Sequence, residues 1–322
     1  MRDVKPIEAI TAVAMTGGSA DREFNLERYL RQRATLVEQA LAARVADAHG
    51  PASRLLEAMR YSLLAGGKRL RPILALAACE AVGGAIDAAM GFACAIEMIH
   101  TYSLVHDDLP CMDDDDLRRG RPTNHKVYGE AIATLAGDGL LTDAFKVLAQ
   151  AAAQSGPARI APEALLDTIA ELAEGAGSAG MVGGQVIDLL GEGRDLRLAE
   201  LEELHRRKTG ALFVAAVRGG ARLGGGSPEE LTALGAYGAA LGLAFQVIDD
   251  LLDVESSAED LGKRTNKDQA RGKATYPALL GVERSRDLAR ELVGKAERAL
   301  AAFDDRAAPL RLLAAYAVER KL

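Results

Sequence analysis

The stretch His106–Asp116, HDDLPCMDDDD, packs six aspartates into eleven residues, and arginines follow at 118, 119 and 121. Like charges a turn apart repel, so the cluster needs a positive partner. Pro110 disfavours helix at Leu109. Asp107 and Asp108 are therefore expected to end a helix, and Asp113 to return to them across a break. A second acidic stretch, FQVIDDLLDVE (245–255), sets Asp249 and Asp253 four residues apart, with Asp250 beside them. That spacing puts both carboxylates on one helix face. The stretch extends an apolar run, so its carboxylates are costly without a partner. A few hard oxygen ligands on one face suit Mg2+, which keeps waters and takes further ligands from phosphate groups. An EF-hand is excluded, because the D-x-D-x-D-G spacing and the closing Glu are missing. One such motif alone reads equally well as a solvated loop paired with Arg118 and Arg119. Two of them, each ending an apolar helix, favour a metal.

The basic residues also cluster. GGKRLRP (66–72) closes a helix with glycines and presents three cations, Lys68, Arg69 and Arg71. Glycine lets an anion approach the backbone, and Arg contacts phosphate through two nitrogens. P-loop spacing is absent. Arg118 and Arg119 form a second cluster, Lys263, Lys267 and Lys273 a third, and Lys208-Thr209 follows HRR. Together these imply two diphosphates, one bridged by Mg2+ to the aspartates and one held directly by Lys and Arg. No nucleophile elbow, dinucleotide fingerprint or HExxH is present. Histidines 49, 100, 106, 125 and 205 form no HxH or HxxxH pair. Metal-assisted departure of diphosphate is the chemistry these residues support.

The elements that must position them read as helices. Ala and Leu dominate, strand alternation and hairpin signals are nearly absent, and apolar residues recur at three and four. Gly and Pro breakers cut the chain into helix-length blocks. The expected fold class is all-α, a single bundle of roughly ten helices. Residues 1–22 are expected to be a loose arm and 23–322 one domain. The uncharged run 231–248 approaches the length of a membrane span. It is Ala/Gly-rich and runs into DDLLD, so it reads as a buried helix with Gly235, Gly238 and Gly242 on a smooth face. No membrane anchor is expected. The chain has 322 residues and a net charge of −7, which disfavours a general nucleic-acid surface. Cys79, Cys94 and Cys111 form no CxxC pair, which fits a reducing cytoplasm.

Seven blocks in order carry a family resemblance: GGKRLRP, HTYSLVHDDLPCMDDDDLRRGRPTNHKVYGE, LAGDGLL, GGQVIDL, KTG, FQVIDDLLD and GKATYP. Over residues 30–322 the chain resembles the trans-prenyl diphosphate synthases (polyprenyl synthetases), and among them the bacterial farnesyl diphosphate synthases. The resemblance implies an isoprenoid synthase fold around a central cavity, and a homodimer. It implies three Mg2+ ions on Asp107, Asp108, Asp113, Asp249, Asp250 and Asp253, around an allylic diphosphate. Arg118, Lys208 and Lys273 would hold that diphosphate, with Lys263 closing over it. Isopentenyl diphosphate would lie on Gly67, Lys68, Arg71, His100 and Arg119, and Thr209 and Gln246 would face the allylic cation. Asn266 stands where the family often has Gly.

Tyr102, five residues before Asp107, is expected to floor the pocket and stop the product at farnesyl (C15). Met98 and Ile99 could equally set that floor. Geranylgeranyl (C20) synthase is the alternative. A terpene cyclase is disfavoured by the Asp-rich second motif and by GGKRLRP. A non-catalytic partner subunit is disfavoured because both acidic motifs are intact.

Overall fold

A computed structural model describes residues 24–45, 49–154, 160–259 and 274–319. The expected arm, residues 1–22, lies outside the described residues. The chain opens with α1 (Leu26–Arg44), α2 (Ser53–Leu63), α3 (Leu70–Ala81) and α4 (Ile86–Asp107). A two-stranded ribbon, β1 (Leu117–Arg118) with β2 (Arg121–Pro122), and the short α5 (Asn124–Tyr128) follow. Next come α6 (Glu130–Gln154), α7 (Pro162–Ala176), α8 (Met181–Gly191) and α9 (Leu198–His205). A π-helical turn, Arg206–Gly210, runs into α10 (Ala211–Leu223) and then α11 (Pro228–Glu259). After α11 come α12 (Tyr276–Leu280), α13 (Val282–Ala299) and α14 (Ala308–Glu319). The all-α expectation is met. Among the described residues 12 helices run for eight residues or more, and the ribbon is the only sheet.

Sequence decides which helices lie inside. In α3 every residue from Pro72 to Cys79 is buried, and α4 is buried around most of its circumference. A helix apolar on all sides belongs in the core, and α3, α4, α10 and α11 pack there. By contrast α13 buries one stripe, Ser285, Ala289, Leu292, Val293 and Ala296, and lies against α11. Two helical stretches, Ile86–Asp107 and Pro228–Val254, are long and apolar enough to cross a membrane. Both pack within the bundle.

The glycine face of α11 behaves as its spacing predicts. A methyl on Gly238 would lie 2.8 Å from Val217 Cγ2, and one on Gly242 would lie 2.9 Å from Gly210 Cα. Backbones thus meet directly where α11 crosses α10 and the π turn. That contact sets the depth of Gln246 and Asp249, one and two turns further along α11.

Candidate active site

Helix α4 ends at Asp107 with Asp108 as its C-cap, as Pro110 requires. The chain then folds back. Asp113 N–H donates to Asp107 O at 2.8 Å, and Asp114 N–H donates to Leu109 O at 3.1 Å. Asp113 therefore does return to Asp107. Two of the three aspartates that follow, Asp115 and Asp116, have positive partners of their own. Asp116 pairs with Lys126 at 2.7 Å, and Arg118 reaches Asp115 at 3.9 Å. Asp108 is held most firmly, its two oxygens accepting from Arg118 Nε at 2.8 and 2.9 Å.

The ribbon has no counterpart in the sequence-based expectation, and it explains how adjacent arginines serve different partners. Arg119 (φ 54) and Gly120 (φ 74) form its turn with both residues left-handed, the backbone of a type I′ hairpin. Arg118 points back to Asp108, while Arg119 donates to Gly66 O. The guanidinium of Arg119 lies against Gly67, where an added methyl would sit 2.6 Å from Cζ. Gly67 also has φ 129, which side chains rarely adopt. The resemblance puts isopentenyl diphosphate on Gly67 and Arg119, and on that expectation Gly67→Ala pushes Arg119 aside and raises the KM for this substrate about tenfold. Gly66→Asn serves as the control. Gly66 has φ 76 with open space around it, and Asn tolerates that conformation. Steady-state kinetics with each substrate varied in turn check the pair; equal KM values for the two variants would refute the Arg119 contact.

The three cations expected from GGKRLRP part ways. Lys68 is exposed, but Arg69 is 3% exposed and bound to Glu97. Arg71 lies over the Phe213 ring at 5.1 Å. Burial brings the Arg71 guanidinium down to about 10, while Glu97 and Asp249 hold it up. Arg71 therefore lies within electrostatic reach of both α4 and the second acidic motif. Burial, then Arg71, Arg119, Arg118 and Arg69, push His100 well below the ordinary imidazole range. It is a neutral hydrogen-bonding group among cations.

The π turn governs the other basic residues. Lys208 Nζ donates to Asp188 Oδ2 of α8 at 2.6 Å, and Thr209 Oγ donates to Gln246 Oε1 of α11 at 2.9 Å. Consecutive residues thus engage two different helices. π turns of this kind recur at functional sites. In the second motif, Asp250 Oδ2 accepts from Tyr276 N–H at 2.9 Å. Lys263, Asn266, Lys267 and Lys273 lie outside the described residues. Tyr102 is buried, its ring edge-on to His106 at 5.7 Å.

Asp107 carries the electrostatic signature of the site. Burial pushes its carboxyl up to about 6; Asp113 and Asp108 add to this, and Lys208 and Arg118 oppose it. Asp188 and Glu97 join the site without having stood out in the sequence. Glu97 has a usable signal, being the only acidic or basic residue between Asp87 and His106 apart from His100. A lone acid in an apolar helix demands a buried partner.

The second motif does not end its helix as expected: Asp249–Asp253 lie inside α11, which continues to Glu259 because nothing after Asp253 breaks it before Gly262. A helical bundle that sets one aspartate-rich helix end and one aspartate-rich helix turn beside two groups of cations fits an enzyme acting on diphosphates. Known proteins agree. The polyprenyl synthetase family model matches residues 52–306. The chain is 50% identical over 306 residues to geranylgeranyl pyrophosphate synthase 12 of Arabidopsis thaliana, covering 93% of this chain and 83% of that one. It is 48% identical over 307 residues to the heterodimeric geranylgeranyl pyrophosphate synthase large subunit 1 of the same plant, covering 94% and 81%. Among solved structures, an FPP/GFPP synthase from Zymomonas mobilis superposes with a TM-score of 0.81 at 40% identity, covering 91% of this chain and 99% of that one. The chain belongs to the polyprenyl synthetase family. It is a head-to-tail prenyltransferase with the isoprenoid synthase fold.

Proposed function

We propose that the chain condenses isopentenyl diphosphate with allylic diphosphates, in a Mg2+-dependent reaction, to geranylgeranyl diphosphate (C20). The observation that carries the two-diphosphate reading is the separation of the cations. Arg71 is within electrostatic reach of Asp249, and Lys208 is within reach of Asp107. The cations thus fall into two groups, Lys208 and Arg118 in reach of Asp107 and Arg71 in reach of Asp249.

The carboxylates fit the metal. Asp107 is half-buried beside Asp113 and Asp108, a surplus of negative charge that a cation would relieve. Among the described residues no three His, Cys, Asp or Glu groups converge into a cage, so a bound ion would draw further ligands from water or phosphate oxygen. Asp107, Asp108, Asp113, Asp249, Asp250 and Asp253 would hold Mg2+, which neutralises charge developing on the leaving diphosphate. Arg118 and Lys208 bind that diphosphate, and the family resemblance assigns Lys263 and Lys273, outside the described residues, to the same group. Gly67, Lys68, Arg71, His100 and Arg119 hold isopentenyl diphosphate. The allylic C–O bond breaks and the isopentenyl double bond forms the new C–C bond. The released diphosphate takes the proton. Thr209 and Gln246 direct oxygen dipoles at the allylic cation, and the apolar core keeps water from it.

The C20 product rests on the 48–50% identity to two geranylgeranyl pyrophosphate synthases over more than nine-tenths of the chain. This reverses the C15 expectation drawn from Tyr102. C15 stands second, favoured by one observation, the buried Tyr102 ring beside His106. The deciding experiment supplies dimethylallyl and isopentenyl diphosphates and measures product length by chromatography. A dominant C20 product is expected, with Tyr102→Ala leaving it at C20 or longer. A dominant C15 product that lengthens in Tyr102→Ala would overturn the C20 assignment. Diphosphate release must require both substrates; release from the allylic substrate alone would indicate a cyclase, and none at all a non-catalytic subunit.

A further inference from the structure

We propose that Arg69 and Glu97, buried and outside the catalytic set, are positioning residues that hold the isopentenyl diphosphate site in shape. The inference rests on the reading of GGKRLRP and Arg119 as that site. Arg69 N-caps α3 with a left-handed backbone, φ 48. A non-glycine residue adopts that conformation only when its surroundings demand it. Here the side chain supplies the demand. Its Nη1 donates to Glu97 Oε1 on α4 at 2.7 Å, and its Nη2 donates to Leu63 O at the end of α2 at 2.8 Å. Glu38 of α1 lies 3.6 Å from its Nε. One buried guanidinium therefore ties together the end of α2, α4 and the start of α3.

The turn that this tie fixes is the Gly66-Gly67-Lys68 turn, immediately before Arg69. Arg71 follows it on the first turn of α3. Reversing the backbone at Arg69 sends its own side chain inward and leaves Lys68 exposed. Glu97 does more than anchor one arginine. Its charge also acts on Arg71 and on Arg119, so one carboxylate counters three cations crowded at the same place. That crowding is unfavourable before substrate arrives, and Glu97 offsets it. His100, one turn further along α4, lies among the same arginines. Burying a charged residue in an apolar helix without such a task would cost stability with nothing to offset it.

The test is the double variant Arg69→Met/Glu97→Met. Apolar residues of similar volume replace a buried ion pair with little loss of stability. The melting temperature is expected to fall by a few degrees at most, since Leu63 O loses its donor and Arg71 and Arg119 lose the Glu97 charge. The KM for isopentenyl diphosphate is expected to rise about tenfold or more, with the allylic KM within about twofold. A purely structural role would leave both KM values alone once stability is kept. A double variant with wild-type KM values overturns the inference. Should the double variant not fold, Glu97→Gln takes its place. It keeps an acceptor for Arg69 and removes the charge, and a selective rise in the isopentenyl diphosphate KM is again expected; an unchanged KM there overturns the inference equally. Arg71→Met separates the two levels of the reading. If Arg71→Met raises that KM and the Arg69/Glu97 variants do not, only the positioning role fails. If Arg71→Met leaves it unchanged, the site assignment itself fails.

Discussion

Replacing Asp107 by Asn is expected to stabilise the metal-free protein while it removes most of the activity. The two effects have one cause. Burial, with Asp113 and Asp108 nearby, raises the Asp107 carboxyl from 3.8 to about 6. A carboxyl whose folded-state pKa is raised binds more protons folded than unfolded. Between pH 3.8 and about 6, stability therefore falls as pH rises, and above that window the full cost persists. At pH 8 the ionised side chain costs on the order of 1–3 kcal/mol, after allowing for the part of it that water reaches. Asn has the same shape without the charge. Its backbone carbonyl still accepts from Asp113 N–H, so the fold of the loop is kept. In EDTA at pH 8 the variant should melt about 2–5 °C above the wild type. That gap should open between about pH 4 and 6.5 and then stay level. Activity should fall about 100-fold or more, since on the proposed reading the Mg2+ that would neutralise the leaving diphosphate loses a ligand. Calorimetry across pH, with Mg2+ and diphosphate added in a second series, checks both halves. An Asn variant that melts lower than the wild type in EDTA at pH 8 would refute the proposed strain.

What the sequence could and could not announce follows from the kind of signal each feature leaves. The return of Asp113 to Asp107 is legible because Pro110 restricts the residue before it. The packing face of α11 is legible because Gly235, Gly238 and Gly242 keep a helical spacing. The Leu117–Pro122 ribbon is not legible. Its turn places Arg119 in a left-handed conformation that Asn or Gly usually occupies, and nothing local betrays that choice. The π turn at RRKTG is equally silent, because its composition is that of an ordinary helix and the extra residue shows only against neighbouring helices. Arg69 misleads for a third reason. Read along the chain it is one of three cations, and only the distant Glu97 turns it inward. Local chemistry thus reveals the aspartates, and long-range pairing decides where the arginines go. Product length belongs to the second group, since a single aromatic ring before Asp107 does not define the depth of a cavity.

The other large effect is expected at Gly184, a residue that touches no substrate in this reading. It lies on α8, one turn before Asp188, and packs against the π turn. A methyl there would collide with Lys208 N and come within 2.6 Å of Lys208 Cα and 2.8 Å of its Cβ. The first two atoms are backbone, so no rotamer change relieves the clash. The π turn cannot slide away, because Gly210 is already closed against Gly242 on its other side. Gly184→Ala must therefore shift Lys208 relative to Asp188, and with it the Thr209–Gln246 hydrogen bond. Overpacking of this kind costs about 1–3 kcal/mol, which should lower the melting temperature by a few degrees at most. The catalytic loss should be far larger, about 100-fold in kcat/KM for the allylic substrate, with the KM for isopentenyl diphosphate nearly unchanged. Asp188→Asn is the informative companion. It removes the 2.6 Å ion pair to Lys208 but leaves the backbone where it is, so its effect should be the smaller of the two. If Gly184→Ala loses no more activity than Asp188→Asn, the ion pair rather than the backbone contact positions Lys208. If neither variant changes the allylic kinetics, Lys208 does not hold the allylic diphosphate.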